Sequence, residues 1–401
     1  MNKVLVDKEL IEEFINRGVE NIFPSKEDLR KKLYSGERLK AYQGYDPTGP
    51  YLHVGHAMGI RGLRILQKLG HEVIFLVGDF TAKVGDPDKD SARKMLTDEE
   101  IEKNMAGWKT QAAQLIDFEG ENPVQFKRNY EWLSKLQLQD LIKLMANATV
   151  QQMMERDLFD KRLKRKDPIG LQEFIYPLMQ GYDSVAMGVD LEIGGADQTF
   201  NMLMGRTLVK NYLGKEKFVR SNIMMEAPDG ITMSKTKGNG INLGDSPENM
   251  YGKAMSYSDE LLIKALLLLT ELPLKEIDGI DHQIKAGENP MKFKKLMAFE
   301  IVKMLKGVES ATKAQEHFEK TVQNREISSD LMEKIHYTGK ITVQNLLKEC
   351  VKENSSSQIK RTIEQGGVEI NGGKVIDPFS EVDIKSGDVI KYGKRKYFRV
   401  E

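Results

Sequence analysis

The chain has one cysteine, Cys350, among 401 residues. A disulfide framework within the chain is therefore excluded, which fits a reducing compartment. It has no excess of charge: 60 Lys and Arg balance 60 Asp and Glu. Bulk electrostatics thus argue for neither a nucleic-acid coat nor a membrane-surface protein, and any basic surface must be local. It has no long apolar run. The most apolar stretch, "IKALLLLTEL", falls well short of the roughly 20 residues that cross a bilayer. The N-terminus, "MNKVLVDKELIEEFINRG", mixes acids with apolar residues at helical spacing and lacks the basic start and apolar run of a secretory signal. No repeat or low-complexity segment interrupts the chain. What is present is a 40% hydrophobic, 30% charged composition, enough for a sizeable core. The expectation is a cytoplasmic globular protein of two or three domains.

The apolar pattern then assigns an α/β fold. "RLKAYQGYD" and "HEVIFLVGDF" predict strands, the second nearly continuous in apolar residues, as a buried parallel strand should be. Between them "HAMGIRGLRILQKLG" has helical spacing and stops at Gly70. "SVAMGVDLEIGGADQ" predicts a further strand running into a glycine turn, with a helix through "TFNMLMGRTLVKNYLG". This implies a Rossmann-like open parallel sheet over 1–227, helices on both faces, and ligands at the C-terminal ends of its strands. Residues 228–245 read as a mobile loop, 246–323 as a helical domain and 324–338 as a linker. Residues 339–401 read as a small α+β domain, with two short helices and a hairpin turn at Asn371-Gly372.

Five local patterns carry chemistry. "DPTGPYLHVGH", residues 46–56, follows a strand and opens a helix. A helix N-terminus offers unpaired N–H groups and partial positive charge to phosphates, Gly55 permits close approach, and His53 and His56 are neutral donors. Alone, the pair reads more readily as capping histidines. "PDGITMSKTKGNG", residues 228–240, is a glycine-bracketed loop in which Lys235 and Lys237 could reach an anion, or simply face solvent. Tyr176, Gln180 and Asp183 fall on one helical face, an odd core stripe because a buried carboxylate needs partners; the bland alternative is a solvated helix edge. Pro177 within that stripe predicts a kink or a first turn. Gly194-Gly195 before Asp197 suits ribose hydroxyls, or an ordinary turn. Finally, "KRLKRK" (161–166) and the tail's Lys360, Arg361, Lys394, Arg395 and Lys396 are basic clusters. The first is a phosphate contact or a solvated face. The second has interleaved aromatics suited to RNA.

Taken together, "PTGPYLHVGH" early and "MSKT" late resemble the HIGH and KMSKS signatures of class I aminoacyl-tRNA synthetases. "YQGYDPT", "LVGDFTAKVGDP", "FIYPLMQGYD" and "IGGADQ" narrow the resemblance to bacterial-type tyrosyl-tRNA synthetases over nearly the whole chain. The tail resembles an S4-type RNA-binding domain. The resemblance implies that tyrosine is activated with ATP and magnesium and then transferred to tRNA(Tyr), by a homodimer, with no protein-held metal. It implies that His53 and His56 contact the ATP phosphates, that Thr48 lies near the γ-phosphate, and that Lys235, flanked by Met233 and Ser234, closes over pyrophosphate. Gly44, Asp46 and Gly55 would border the nucleotide, Gly195 and Asp197 its ribose, and Lys89 and Arg93 would serve as loop cations. Tyr42 and Asp183 would read the phenol. Tyr176, Gln180, Asp86 and Asn129 would hold the ammonium, with Gln198 near the tyrosine end. Two departures stand out: Thr232 replaces the first lysine of KMSKS, and "GDPDKDSARK" is one residue shorter than the family's loop. The alternatives are a tryptophanyl-tRNA synthetase, against which Tyr42, Asp183, "GGADQ" and the tail count, and a non-catalytic RNA-binding remnant.

Overall fold

The apolar run at 71–80 becomes strand β3 (Glu72–Val77), and "RLKAYQGYD" becomes β2 (Lys40–Tyr45); they pair in parallel, with Tyr42 opposite Ile74. The helix Val54–Lys68 joins them, and Gly70, at φ 85°, turns the chain out of it. The computed structural model describes residues 4–401 except 87–94, 229, 232, 234–239, 324–331, 352–354 and 394–395. Its described residues divide into two compact units, Met1–Gln315 and Glu316–Glu401.

The first unit is built on a six-stranded sheet. Four further strands complete it: β1 (Val19–Phe23), β4 (Gln125–Arg128), β5 (Leu191–Gly195) and β6 (Phe218–Asn222). The order is β1-β6-β5-β2-β3-β4. Five strands run parallel, whereas the edge strand β1 runs antiparallel to β6. The expected open parallel sheet is present, with one antiparallel strand added at its edge: "VENIF" is a five-residue, half-exposed edge strand without the continuous apolar run of the centre. From β2 the chain winds to β3 and β4, and from β5 to β6 on the other side. The β2/β5 junction is therefore a switch point where a crevice opens beyond the strand ends.

One helix lines a side of that crevice and a second packs against it. Leu171–Met187 carries Pro177 in its second turn and continues past it, so proline neither starts nor ends this helix. Lacking an N–H, Pro177 gives the Glu173 carbonyl no helical partner. Thr199–Leu213 packs closely against it: a Cβ on Gly181 would lie 3.1 Å from the Gly205 backbone N. The predicted helical segment follows as Pro247–Met255, Leu262–Leu269, Leu274–Lys285, Pro290–Lys306 and Val308–Phe318. Its first helices are tied to the sheet by Arg17, 4% exposed, whose guanidinium donates to the carbonyls of Thr270 (2.6 Å) and Leu272 (2.7 Å). At the opposite end of the strands, buried His71 accepts the Leu39 N–H on Nδ1 at 3.2 Å. Burial, with Arg38 nearby, pulls its imidazole down to about 4.

The second unit holds helices Val343–Cys350 and Ser356–Glu364 over strands β7 (Glu333–Ile335), β8 (Gly339–Thr342), β9 (Val368–Ile370), β10 (Gly373–Val375), β11 (Glu381–Ile384), β12 (Val389–Tyr392) and β13 (Lys396–Val400). The main sheet runs β10-β9-β12-β13-β7, and β11 pairs with β8. Leu346, Ile359, Ile363, Val368, Ile390 and Phe398 form its core. Asn371 (φ 50°) and Gly372 (φ 79°) make the predicted two-residue hairpin turn, both central residues left-handed as such a turn demands. The stretch 324–338, read from sequence as a linker, contains β7; three residues are too few to show a period.

Candidate active site

A cleft of about 270 Å³ opens at the β2/β5 switch point, lined from both strand ends, from the start of helix Val54–Lys68 and from the face of helix Leu171–Met187. It gathers most of the residues singled out from sequence. Tyr42, Asp86, Tyr176, Gln180, Asp183, Gln198, Gly44, Asp46, Thr48, His53, Gly55, His56, Gly195, Asp197 and Met233 all line it.

At the inner end the side chains hold one another. Asp183, 2% exposed, accepts Trp132 Nε1–H at 2.7 Å and Asn129 Nδ2–H at 3.2 Å. Burial pushes its carboxyl well up, and these two hydrogen bonds oppose that by favouring the ionised form. Gln180 donates to Glu192 Oε1 at 3.2 Å and accepts from Asn201 at 3.0 Å. Tyr176 and Thr81 hydroxyls donate to the two oxygens of Asp46, at 2.9 and 2.8 Å. Asp86 accepts from the buried Arg156 at 3.0 Å and from Gln198 at 2.6 Å, so its charge is already shared.

The outer end is made of backbone. Helix Val54–Lys68 has no acid in its first turn to offset its positive end. The His53 N–H donates to His56 Nδ1 at 3.0 Å; a neutral His56 must then carry its proton on Nε2, as a donor. The two rings lie 3.7 Å apart. Leu243 N–H donates to the Leu52 carbonyl (2.8 Å) and Val54 N–H to that of Ile241 (2.9 Å). A Cβ on Gly240 would lie 3.3 Å from His53 Cβ and 3.2 Å from Met233 Sδ. Met233 and Gly240, the described residues flanking 234–239, thus both sit against the helix start.

Comparison with known proteins settles what carries this cleft. A family model described as class I tRNA synthetases (W and Y) matches residues 34–323. A tyrosine–tRNA ligase of Moorella thermoacetica is 40% identical over 96% of this chain and 94% of its own. One from Haemophilus ducreyi is 42% identical over 96% of each. The chain belongs to the tyrosyl-tRNA synthetases. Its fold agrees: a tyrosyl-tRNA synthetase from Archaeoglobus fulgidus, solved with L-tyrosine, superposes with a TM-score of 0.61, at 24% identity over 77% of this chain and 99% of that one. A truncated mitochondrial synthetase from Aspergillus nidulans gives 0.66, at 23% identity over 78% and 94%. As a tyrosine–tRNA ligase, this synthetase joins tyrosine to tRNA at the expense of ATP.

Several residues stand differently from the reading of the sequence. Asn129 does not line the cleft; fully buried, it grips Asp183, Thr81 and the Phe80 N–H, so it orients the pocket instead of facing it. Gly55 makes room first for a histidine: a Cβ there would lie 2.9 Å from His53 Nδ1. Within "KRLKRK", Arg162 is 1% exposed and bound to Glu173, so that stretch is not a uniformly solvated basic face. Lys89, Arg93, Thr232, Ser234, Lys235, Lys237, Lys394 and Arg395 lie outside the described residues. In the second unit Arg361 and Lys396 are exposed, and Lys360 Nζ lies 5.5 Å from the exposed Phe379 ring. Sequence reading missed Trp132, Arg156, Ser184, Glu192 and Lys217. Glu192 alone left a signal: a carboxylate inside an apolar strand must find a partner.

Proposed function

We propose that the inner end of the cleft binds tyrosine and the outer end ATP, so that the tyrosine carboxylate attacks the α-phosphate in line. One C–O–P bond forms, the bond to pyrophosphate breaks, and tyrosyl-adenylate remains for transfer to the 3′ end of tRNA(Tyr). The observation that carries this reading is that Tyr42 and Asp183 line the same cleft as His53 and His56. A carboxylate is already a nucleophile, so the work is positioning and charge stabilisation. Tyr42 and Asp183 read the phenol; Tyr176, Gln180 and Asp86 hold the ammonium, with Asn129 fixing Asp183 from behind. Gln198 stands beside Asp86. Polar groups of this kind reject phenylalanine because they would be left unpaired, a discrimination for which this family is itself the standard illustration.

The helix start and the Nε2–H of His56 meet the phosphates with His53 and Thr48, while Gly44, Asp46 and Gly55 border the nucleotide. Gly195 and Asp197 take the ribose. Lys235, with Met233 and Ser234, neutralises departing pyrophosphate, helped by Lys89 and Arg93. Magnesium fits as part of the ATP complex, held by phosphates and water; among the described residues no three His, Cys, Asp or Glu gather to cage a metal. Lys360, Arg361, Lys394, Arg395 and Lys396 contact tRNA phosphates. Residues 228–245 act as the signature loop, 246–323 as an anticodon-side domain and 339–401 as an S4-like RNA module, in the cytoplasm where tRNA is charged. Leu138, Ile142, Met145 and Val150 are large apolar side chains left exposed along two neighbouring helices, and they supply a face for a second copy.

The test is ATP–pyrophosphate exchange with magnesium and tyrosine, tryptophan or phenylalanine, without tRNA. Exchange with tyrosine alone is expected. Exchange with tryptophan would mean the pocket is misassigned. Sedimentation of the wild type against Leu138→Asp checks the homodimer.

A further inference from the structure

A buried ion pair stands behind one wall of the cleft. Arg156, 7% exposed, donates through Nη2 to Asp86 Oδ1 at 3.0 Å, and Asp86 is itself 7% exposed. Asp86 lines the cleft, whereas Arg156 does not. Two rings also hold the guanidinium: its Cζ lies 5.8 Å from the centre of Phe159 and 5.6 Å from that of Phe200. Phe159 is fully buried and stacks on Phe174 of helix Leu171–Met187, the ring centres 4.8 Å apart. Phe200 belongs to helix Thr199–Leu213. Arg156 is thus fixed against the helix that carries Tyr176 and Gln180 and against the next one.

The second oxygen of the carboxylate is governed as firmly. Gln198 donates from Nε2 to Asp86 Oδ2 at 2.6 Å. A carboxylate only accepts, so the Gln198 amide must turn its nitrogen to Asp86 and its oxygen away. That oxygen accepts from Nδ2 of the fully buried Asn201 at 2.9 Å. Each oxygen of Asp86 therefore carries one fixed donor and has capacity for another. A carboxylate at this depth needs a counter-charge. Arg156 supplies it before any ligand enters, so Asp86 is already in place when a cation arrives.

We propose that Arg156 is a positioning residue, which through its ion pair holds Asp86 in the cleft as a preformed acceptor for the α-ammonium of the amino acid. This rests on the reading of Asp86 as an ammonium ligand. Arg156 touches neither substrate nor reacting atoms, so its effect is confined to ligands that carry an amine.

The test is exchange kinetics on the full-length enzyme, with two truncated analogues as competitive inhibitors. Tyramine keeps the ammonium and lacks the carboxylate; 3-(4-hydroxyphenyl)propionate keeps the carboxylate and lacks the ammonium. In Arg156→Met, KM for tyrosine and Ki for tyramine should both rise about tenfold, the scale of one hydrogen bond to a charged group. Ki for the propionate and KM for ATP should stay within about twofold. Arg156→Lys, which keeps the charge, should recover part of the loss. The loss should vanish in an Asp86→Asn background, because Arg156 acts only through that carboxylate. Removing one charge of a buried pair endangers folding, so Phe200→Leu, which loosens the guanidinium with both charges in place, is the second variant; it should raise the same two constants by a smaller factor. Arg156 and an ammonium on one carboxylate also repel each other. Tyramine binding that is unchanged or tighter in Arg156→Met, or equal weakening of both analogues, would overturn the inference. If Asp86→Asn alone left tyramine binding unchanged, the ammonium reading of Asp86 would fail instead.

Discussion

The two ends of the cleft are made differently. At the end proposed for the amino acid, side chains hold side chains: Trp132 and Asn129 on Asp183, Ser184 on Tyr42, Lys217 on Glu192. At the end proposed for the nucleotide, the groups on offer are a helix start, glycines and two histidines linked through a backbone N–H. The difference follows from what each end must recognise. A single hydroxyl is told from a hydrogen only if donor and acceptor are fixed before binding, because a mobile polar group can re-pair elsewhere. A phosphate chain has oxygens all round it, so backbone N–H groups and a helix dipole recognise it without a locked rotamer.

This contrast is open to attack at each end. The largest effect is expected from His56→Ala. It removes a proposed phosphate donor and should lower kcat of exchange by about 10²–10³-fold, leaving KM for tyrosine and the phenylalanine ratio within about twofold. Asp183→Ala should do the reverse. Tyrosine kcat/KM is expected to drop about a hundredfold, the scale of a lost hydrogen bond to a charged group, while phenylalanine is nearly spared. If both variants lowered both parameters together, the two ends would not be separable. Next, Gly205→Ala places a methyl against Lys217 and 3.3 Å from Gly181 Cα. It should cost about 1–3 kcal/mol in denaturant unfolding and also weaken selectivity, whereas Gly252→Ala, where nothing lies within 4 Å of the added carbon, should do neither.

The smallest effect serves as a control remote from both ends. His71 has its imidazole lowered from 6.5 to about 4. Between those values the unfolded chain binds the proton more readily. Stability is therefore lost as pH falls through this window, by roughly 1 kcal/mol near pH 5.5, and is unaffected above about pH 7. Urea midpoints from pH 7.5 to 4.5 should fall less steeply in His71→Gln than in the wild type, with selectivity unchanged at pH 7.5.

The sequence displayed some of this and concealed the rest for physical reasons. The β2–helix–β3 unit was legible because a buried parallel strand is an unbroken apolar run and Gly70 ends the helix. Tyr176, Gln180 and Asp183 were legible because a helix repeats. The hairpin at Asn371-Gly372 was legible because few other pairs accept two left-handed residues. The backing of Tyr42 was not. Ser184, Glu192 and Lys217 come from a helix, a strand and the approach to the next strand, and only the parallel pairing of β5 with β6 brings them together. Asn129 matched a family pattern, yet the pattern does not say whether a residue faces the ligand or steadies one that does. Arg162 looked like one more cation in a basic run; its burial depends on Glu173, eleven residues on in the next helix.

The pinned ends of the signature segment have a consequence for how this enzyme tolerates change. Met233 and Gly240 are held against His53, and the backbone just beyond is bridged to Leu52 and Val54. Met233 and Gly240 lie close together, a Cβ on Gly240 falling 3.2 Å from Met233 Sδ. Closing a loop whose ends are already fixed costs only about 0.6 kcal/mol per doubling of its length. A change in the length of chain between those two residues is therefore expected to leave the start of helix Val54–Lys68 where it is.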